Sequence, residues 1–162
     1  MIGLAAIRPS EWDVPLFLHV FGALALIGAL ALAATFLFAA VRDGSGANLR
    51  LALRTLTMGV IPAYLFLRVG AEWIASKEGW TDVDPPPTWI DIGYIAADLG
   101  FLLIIISSLL GWFTLRRVRA RAAEGGEGET RPSTAVRVAA VLIAITLAAN
   151  LVALWAMSTK PV

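Results

Sequence analysis

The 162-residue chain has no cysteine, a single histidine and only two lysines, and charged residues make up just 15% of it. Without cysteine there is no disulfide framework, no thiolate metal site and no thiol nucleophile. With one histidine, a bis-histidine haem within one chain is excluded. The 13 basic and 12 acidic residues nearly cancel, so the surplus of positive charge that marks nucleic-acid binding is missing, and no nucleic-acid partner is expected. What the chain has in excess is apolar surface: 59% of its residues are hydrophobic, with a mean hydropathy of +0.79. That lies far outside the balance of a water-soluble domain.

The apolar residues gather into four stretches, each long enough to cross a hydrocarbon layer of about 30 Å as a helix. The expectation is an all-α polytopic membrane protein, a single four-helix bundle whose partner is the lipid bilayer. The spans are expected at residues 14–41, 51–75, 89–115 and 136–157. The first is too long, and its acidic flank Glu11-Trp12-Asp13 is of the wrong sign, for a cleaved signal peptide. Pro62 should kink the second. The run Asp82-Val83-Asp84-Pro85-Pro86-Pro87 should turn the chain before the third, and a mobile linker rich in Gly, Glu and Arg, residues 120–132, should precede the fourth.

Orientation follows from where arginine sits, since short cytoplasmic loops carry the excess of Lys and Arg. Segments 42–54 and 114–137 hold nine arginines against four acids, whereas the other side holds Arg8, Lys77 and Lys160 among six acids. Both segments should therefore be cytoplasmic and both termini outside, with Trp12, Trp80, Trp89 and Trp155 near the outer interface. The cluster Arg116, Arg117, Arg119 and Arg121 reads as a stop-transfer signal, with anionic lipid as the alternative.

Ionisable residues within a membrane cost about 2.5–3.5 kcal/mol at a helix centre and so need partners or a function. At about 1.5 Å of rise per residue, His19 lies about 8 Å below the outer end of its helix, Arg68 and Asn150 about 10 Å, and Asp98 about 14 Å. One polar residue from each span falls in the outer half. Tyr64, Arg68 and Glu72 share one helix face, as do Asp91, Tyr94 and Asp98. The second and third helices are expected to turn these faces together, with Arg68 on Asp98 or Asp91, Glu72 at the rim, and Tyr64 and Tyr94 donating to carboxylates. Ala25, Ala29 and Ala33, with Gly93, Ala97 and Gly100, mark close-packing faces.

His19 is a candidate ligand for haem iron or copper, or a proton shuttle, with Met157 as the one methionine at a matching level; a single hydrogen bond to a neighbouring helix is the alternative. Its setting, Leu16-Phe17-Leu18-His19-Val20-Phe21-Gly22-Ala23 followed by Gly28, resembles the first helix of small bacterial integral-membrane proteins grouped around copper-resistance D-like proteins and the haem-dependent protoporphyrinogen oxidases of the haem J type. The resemblance implies a bacterial inner-membrane protein of the uncharacterised members of that group. From the haem-dependent relatives it implies that His19 ligates haem b.

No nucleophile element of the strand–turn–helix kind is present, and Ser107 and Ser108 lie deep in the third helix, away from His19, so hydrolysis is not expected. The expected function is non-enzymatic binding of a ligand or partner by the outer-half polar residues, as a monomer, a homo-oligomer or with a partner membrane subunit. A haem-binding redox protein and an oligomeric proton- or ion-coupled transporter are the alternatives.

Overall fold

A computed structural model describes residues 10–123 and 133–159. Arg8, Arg131 and Lys160 lie outside the described residues, as do residues 124–132 of the expected linker. The described residues are almost wholly helical and contain no strand. Helix α1 spans Asp13–Asp43, α2 Gly46–Thr55, α3 Ile61–Glu78, α4 Thr88–Ala123 and α5 Thr134–Thr159. A π-helical segment, Leu56–Val60, joins α2 to α3, so four continuous rods result, each long and apolar enough to cross a membrane.

Local chemistry sets the breaks. α1 ends at Gly44, whose φ of 64° is left-handed and therefore suited to glycine. Ser45 then caps α2, its hydroxyl accepting from Asn48 N–H at 3.3 Å. Gly79, at φ 74°, closes α3 in the same left-handed way, its N–H donating to the Ala75 and Ser76 carbonyls. Ser133 Oγ accepts from Val136 N–H at 3.3 Å where α5 begins. The break expected at Pro62 takes a specific form. Proline lacks the N–H and its ring crowds the carbonyl four residues earlier; the preceding turn widens, and Ile61 N–H donates to Leu56 O five residues back.

Every rod runs longer than expected. α4 continues through Ala120 to Ala123, so the first residues assigned to the linker are helical; Arg and Ala are strong helix formers and carry the helix beyond its apolar part.

α1 is the organising helix: it packs along α2, the π segment and α3 on one side and on α5 on the other. α4 packs along α5 and touches α2, but α3 and α4 meet only sparsely. The helices are thus closed at the end that holds Arg42, Arg50, Arg54, Arg116, Arg117, Arg119 and Arg137, and splayed between α3 and α4 at the opposite, acidic end. The fully buried residues Leu30, Leu37, Leu56, Val60, Ile104 and Ile143 form the core. Large apolar side chains such as Phe17, Leu24, Leu65, Leu102, Ile145 and Leu151 are exposed around the outside, as on helices that are apolar all round because lipid surrounds them.

Two glycines bring α1 and α3 into backbone contact. A Cβ built on Gly70 would stand 2.5 Å from His19 N and 2.8 Å from His19 Cα, and one built on Gly22 would stand 2.7 Å from Leu67 Cα. The small residues singled out in the sequence make softer contacts: Ala29 against Gly59, Gly100 against Thr146 and Asn150, and Gly93 against the Met157 methyl.

Candidate functional site: a cleft at the acidic end

The splay between α3 and α4 encloses a cavity of about 250 Å3 walled by all four rods. α1 supplies Leu16, His19, Ala23 and Ile27; α3 supplies Leu67, Arg68, Ala71 and Ile74; α4 supplies Ile90, Tyr94 and Ala97; α5 supplies Asn150, Ala153 and Met157. Trp80 and Trp89 stand at its mouth, edge to face with centroids 5.8 Å apart. A second hollow of about 310 Å3 lies against it, lined by Glu72, Thr81, Val83 and Pro86 and sharing Trp80, Ile90 and Tyr94. The cleft therefore grades from a polar rim to an apolar interior.

The structure assigns partners to the polar residues that the sequence singled out. Arg68 Nη2 lies 3.0 Å from Glu72 on its own helix and 3.5 Å from Asp98 across the cleft. Its guanidinium carbon sits 4.6 Å above the Tyr94 ring, and Tyr94 Oη donates to Glu72 at 3.3 Å. Asp98, not Asp91, is thus the cross-helix partner; no ion pair to Asp91 is formed among the described residues. Arg68 is the most enclosed of the three charges, with 28% of its side chain exposed against 45% for Glu72 and 61% for Asp98. The carboxylates keep this exposure because the cleft is open, and hydration there offsets much of the cost of enclosing charge.

Tyr64 departs from expectation. It is buried one turn further along α3 and stacks on Phe101, centroids 4.5 Å apart, instead of donating to a carboxylate. Asn150 lies on the far wall, apart from Arg68, and donates from Nδ2 to Thr146 O at 2.9 Å. Ser107 is buried and donates to the Leu103 and Ala139 carbonyls, a helix-packing role.

His19 faces the cavity from α1. Its Nδ1 makes a long hydrogen bond, 3.4 Å, to Leu67 O on α3; donation from Nδ1 leaves Nε2 to accept from an occupant. Among the described residues no group of three or more His, Asp or Glu converges to hold a metal ion. A dry cavity of about 150 Å3 accommodates a benzene-sized molecule, so 250 Å3 takes a body of one or two fused rings. The clamp at Gly22 and Gly70 closes α1 onto α3 beside His19, and the methyl of Met157 is packed against Gly93. His19 thus ties α1 to α3 and presents one nitrogen to the cavity.

Glycines 22 and 70 and the cavity itself escaped sequence reasoning. The isolated Gly70, within an otherwise substituted helix, was the available signal for close approach. Comparison with protein-family models, with curated proteins and with solved structures returned no match.

Proposed function

We propose that this chain is a multi-pass protein of a bacterial inner membrane that binds, without transforming, a small and largely apolar molecule in its acidic-end cavity. The observation that carries this is the cavity: four rods that could close on one another instead leave about 250 Å3 between apolar walls, with a few polar groups, His19, Asn150 and Arg68, placed around it. Ligand sites are commonly of this kind, mostly apolar with a small number of placed polar groups, and often between the helices of bundles. No arrangement of nucleophile and base stands against it among the described residues. The arginine-rich end supports a cytoplasmic assignment for segments 42–54 and 114–137, with the cleft and both ends of the chain facing outward. The excess of arginine over lysine supports a bacterial source.

The test is 2-naphthol binding in lipid nanodiscs, followed through the fluorescence of Trp80 and Trp89 at the mouth. The wild type should show a saturable change at one probe per chain. Ala97→Leu, which fills the cavity from α4, should remain helical, unfold no more easily than the wild type, and lose the saturable component. An identical titration in the two proteins would mean that the probe dissolves only in lipid and would refute the binding site.

A further inference from the structure

The cavity walls are mostly apolar, but the end of the bundle where the cavity opens is predominantly negative. Among the described residues the acidic end of the bundle carries eight carboxylates against two cations, Arg68 and Lys77. Lys77 is turned away to Glu11, 3.3 Å distant, and Arg68 is shared between Glu72 and Asp98. Of the carboxylates only Glu72 and Glu78 line the cavity or the hollow against it, but a surplus of six negative charges at the same end of the bundle raises the local concentration of cations and disfavours anions. The aromatic groups at the mouth point the same way. Trp80, Trp89 and Tyr94 line the cavity together, and ring faces attract ammonium and guanidinium groups that come within about 6 Å of the centroid. One such seat is already in use, because Arg68 occupies the Tyr94 face at 4.6 Å.

We propose that the occupant is a lipophilic monocation, an ammonium compound whose one- or two-ring body fills the cavity and whose head replaces Arg68 over Tyr94 and beside Asp98. This rests on the ligand-binding function proposed above and adds the charge of the ligand. The protein's own guanidinium acts as the competitor. Of its two ion pairs the one to Asp98 is the longer, 3.5 Å against 3.0 Å, and Glu72 lies one turn away on the same helix. Arg68 can therefore swing out with Glu72 and leave Asp98 and the Tyr94 face to the incoming cation. A neutral ligand would not require this exchange, and an anion would have to compete with two carboxylates for the single available cation.

Three probes with one naphthyl body test the proposal in zwitterionic nanodiscs: 2-naphthylmethyl-trimethylammonium, 2-naphthalenemethanol and 2-naphthoate, each titrated into wild type, Arg68→Gln and Asp98→Asn. The ammonium should bind about tenfold tighter than the alcohol or better, and the carboxylate should not bind. Arg68→Gln should strengthen ammonium binding several-fold and leave the alcohol unchanged, whereas Asp98→Asn should erase most of the ammonium preference. Equal affinity for ammonium and alcohol would overturn the charge proposal and leave the cavity's ligand-binding function standing. Tight naphthoate binding that Arg68→Gln abolishes would reverse the sign. An ammonium preference intact in folded Asp98→Asn would overturn this seat for the head group, and failure of all three probes on folded protein would overturn the ligand-binding function as well.

Discussion

Placing a methyl group at Gly70 should weaken the protein more than almost any other single-carbon change. The added Cβ would lie 2.5, 2.8 and 2.9 Å from His19 N, His19 Cα and Pro15 O, where unstrained contacts between heavy atoms lie at about 3.5–4.0 Å. All three neighbours are backbone of α1, so no side-chain rotation relieves the overlap, and the two helices must move apart by roughly 1 Å. A gap of that size forfeits between a quarter and a half of each dispersion contact along the seam, and overpacking of this kind costs about 1–3 kcal/mol. Gly70→Ala is therefore expected to destabilise by about 2–3 kcal/mol. Gly22→Ala acts on the same seam at Leu67, and the double variant should lose less than the sum because one separation relieves both clashes. Gly28, on the same α1, meets nothing within 4 Å; Gly28→Ala should be neutral or stabilising by up to about 1 kcal/mol from helix propensity. Reversible unfolding in mixed micelles, followed by far-ultraviolet circular dichroism, gives the comparison. Gly70→Ala within about 0.5 kcal/mol of Gly28→Ala, the range of an ordinary surface change, would refute the clamp.

Three further outcomes are expected. The purified protein should be colourless and show no Soret band after haem is supplied and reduced with dithionite; a stoichiometric band abolished by His19→Ala would overturn the binding of a small apolar molecule at this site. Arg68→Ala should lower thermal stability and Asp98→Asn, combined with it, should restore part of the loss, with a coupling of about 0.6 kcal/mol, ordinary for polar contacts between membrane helices; strictly additive penalties would mean that the pair does not tie α3 to α4. Ser45→Ala, which removes the α2 cap, should cost about 1 kcal/mol in the same unfolding assay, and no change there would show that the cap is dispensable.

The four rods were legible because length and composition alone decide whether a helix can span. That Arg68 would meet Asp98 or Asp91 could also be read, since i, i+4 and i+3 spacings put each trio on one face; which of the two it meets could not. The sequence did not reveal that these two faces approach without closing. Whether neighbouring helices pack or leave a void depends on how Ala71 and Ala97 line up across the gap, and on Gly22 and Gly70 drawing α3 toward α1 and so away from α4. Tyr64 was misassigned for a related reason: its spacing placed it on the polar face, but one turn further along α3 the neighbour is Phe101, and ring stacking took the place of a hydrogen bond. The π segment was half visible, because Pro62 requires a disturbed turn but does not dictate whether that turn kinks or widens.

The absence of cysteine makes a direct test of the cleft simple. In liposomes, the thiol of Asn150→Cys, on the cavity wall, and that of Val152→Cys, on the exposed face of α5, can each be challenged with a small charged methanethiosulfonate reagent. An open acidic-end cleft predicts rapid modification at position 150, slowed by saturating 2-naphthol, and none at position 152, which faces lipid. Equal inertness at both positions, or modification at 150 that 2-naphthol does not slow, would contradict an accessible binding cavity between α3 and α4.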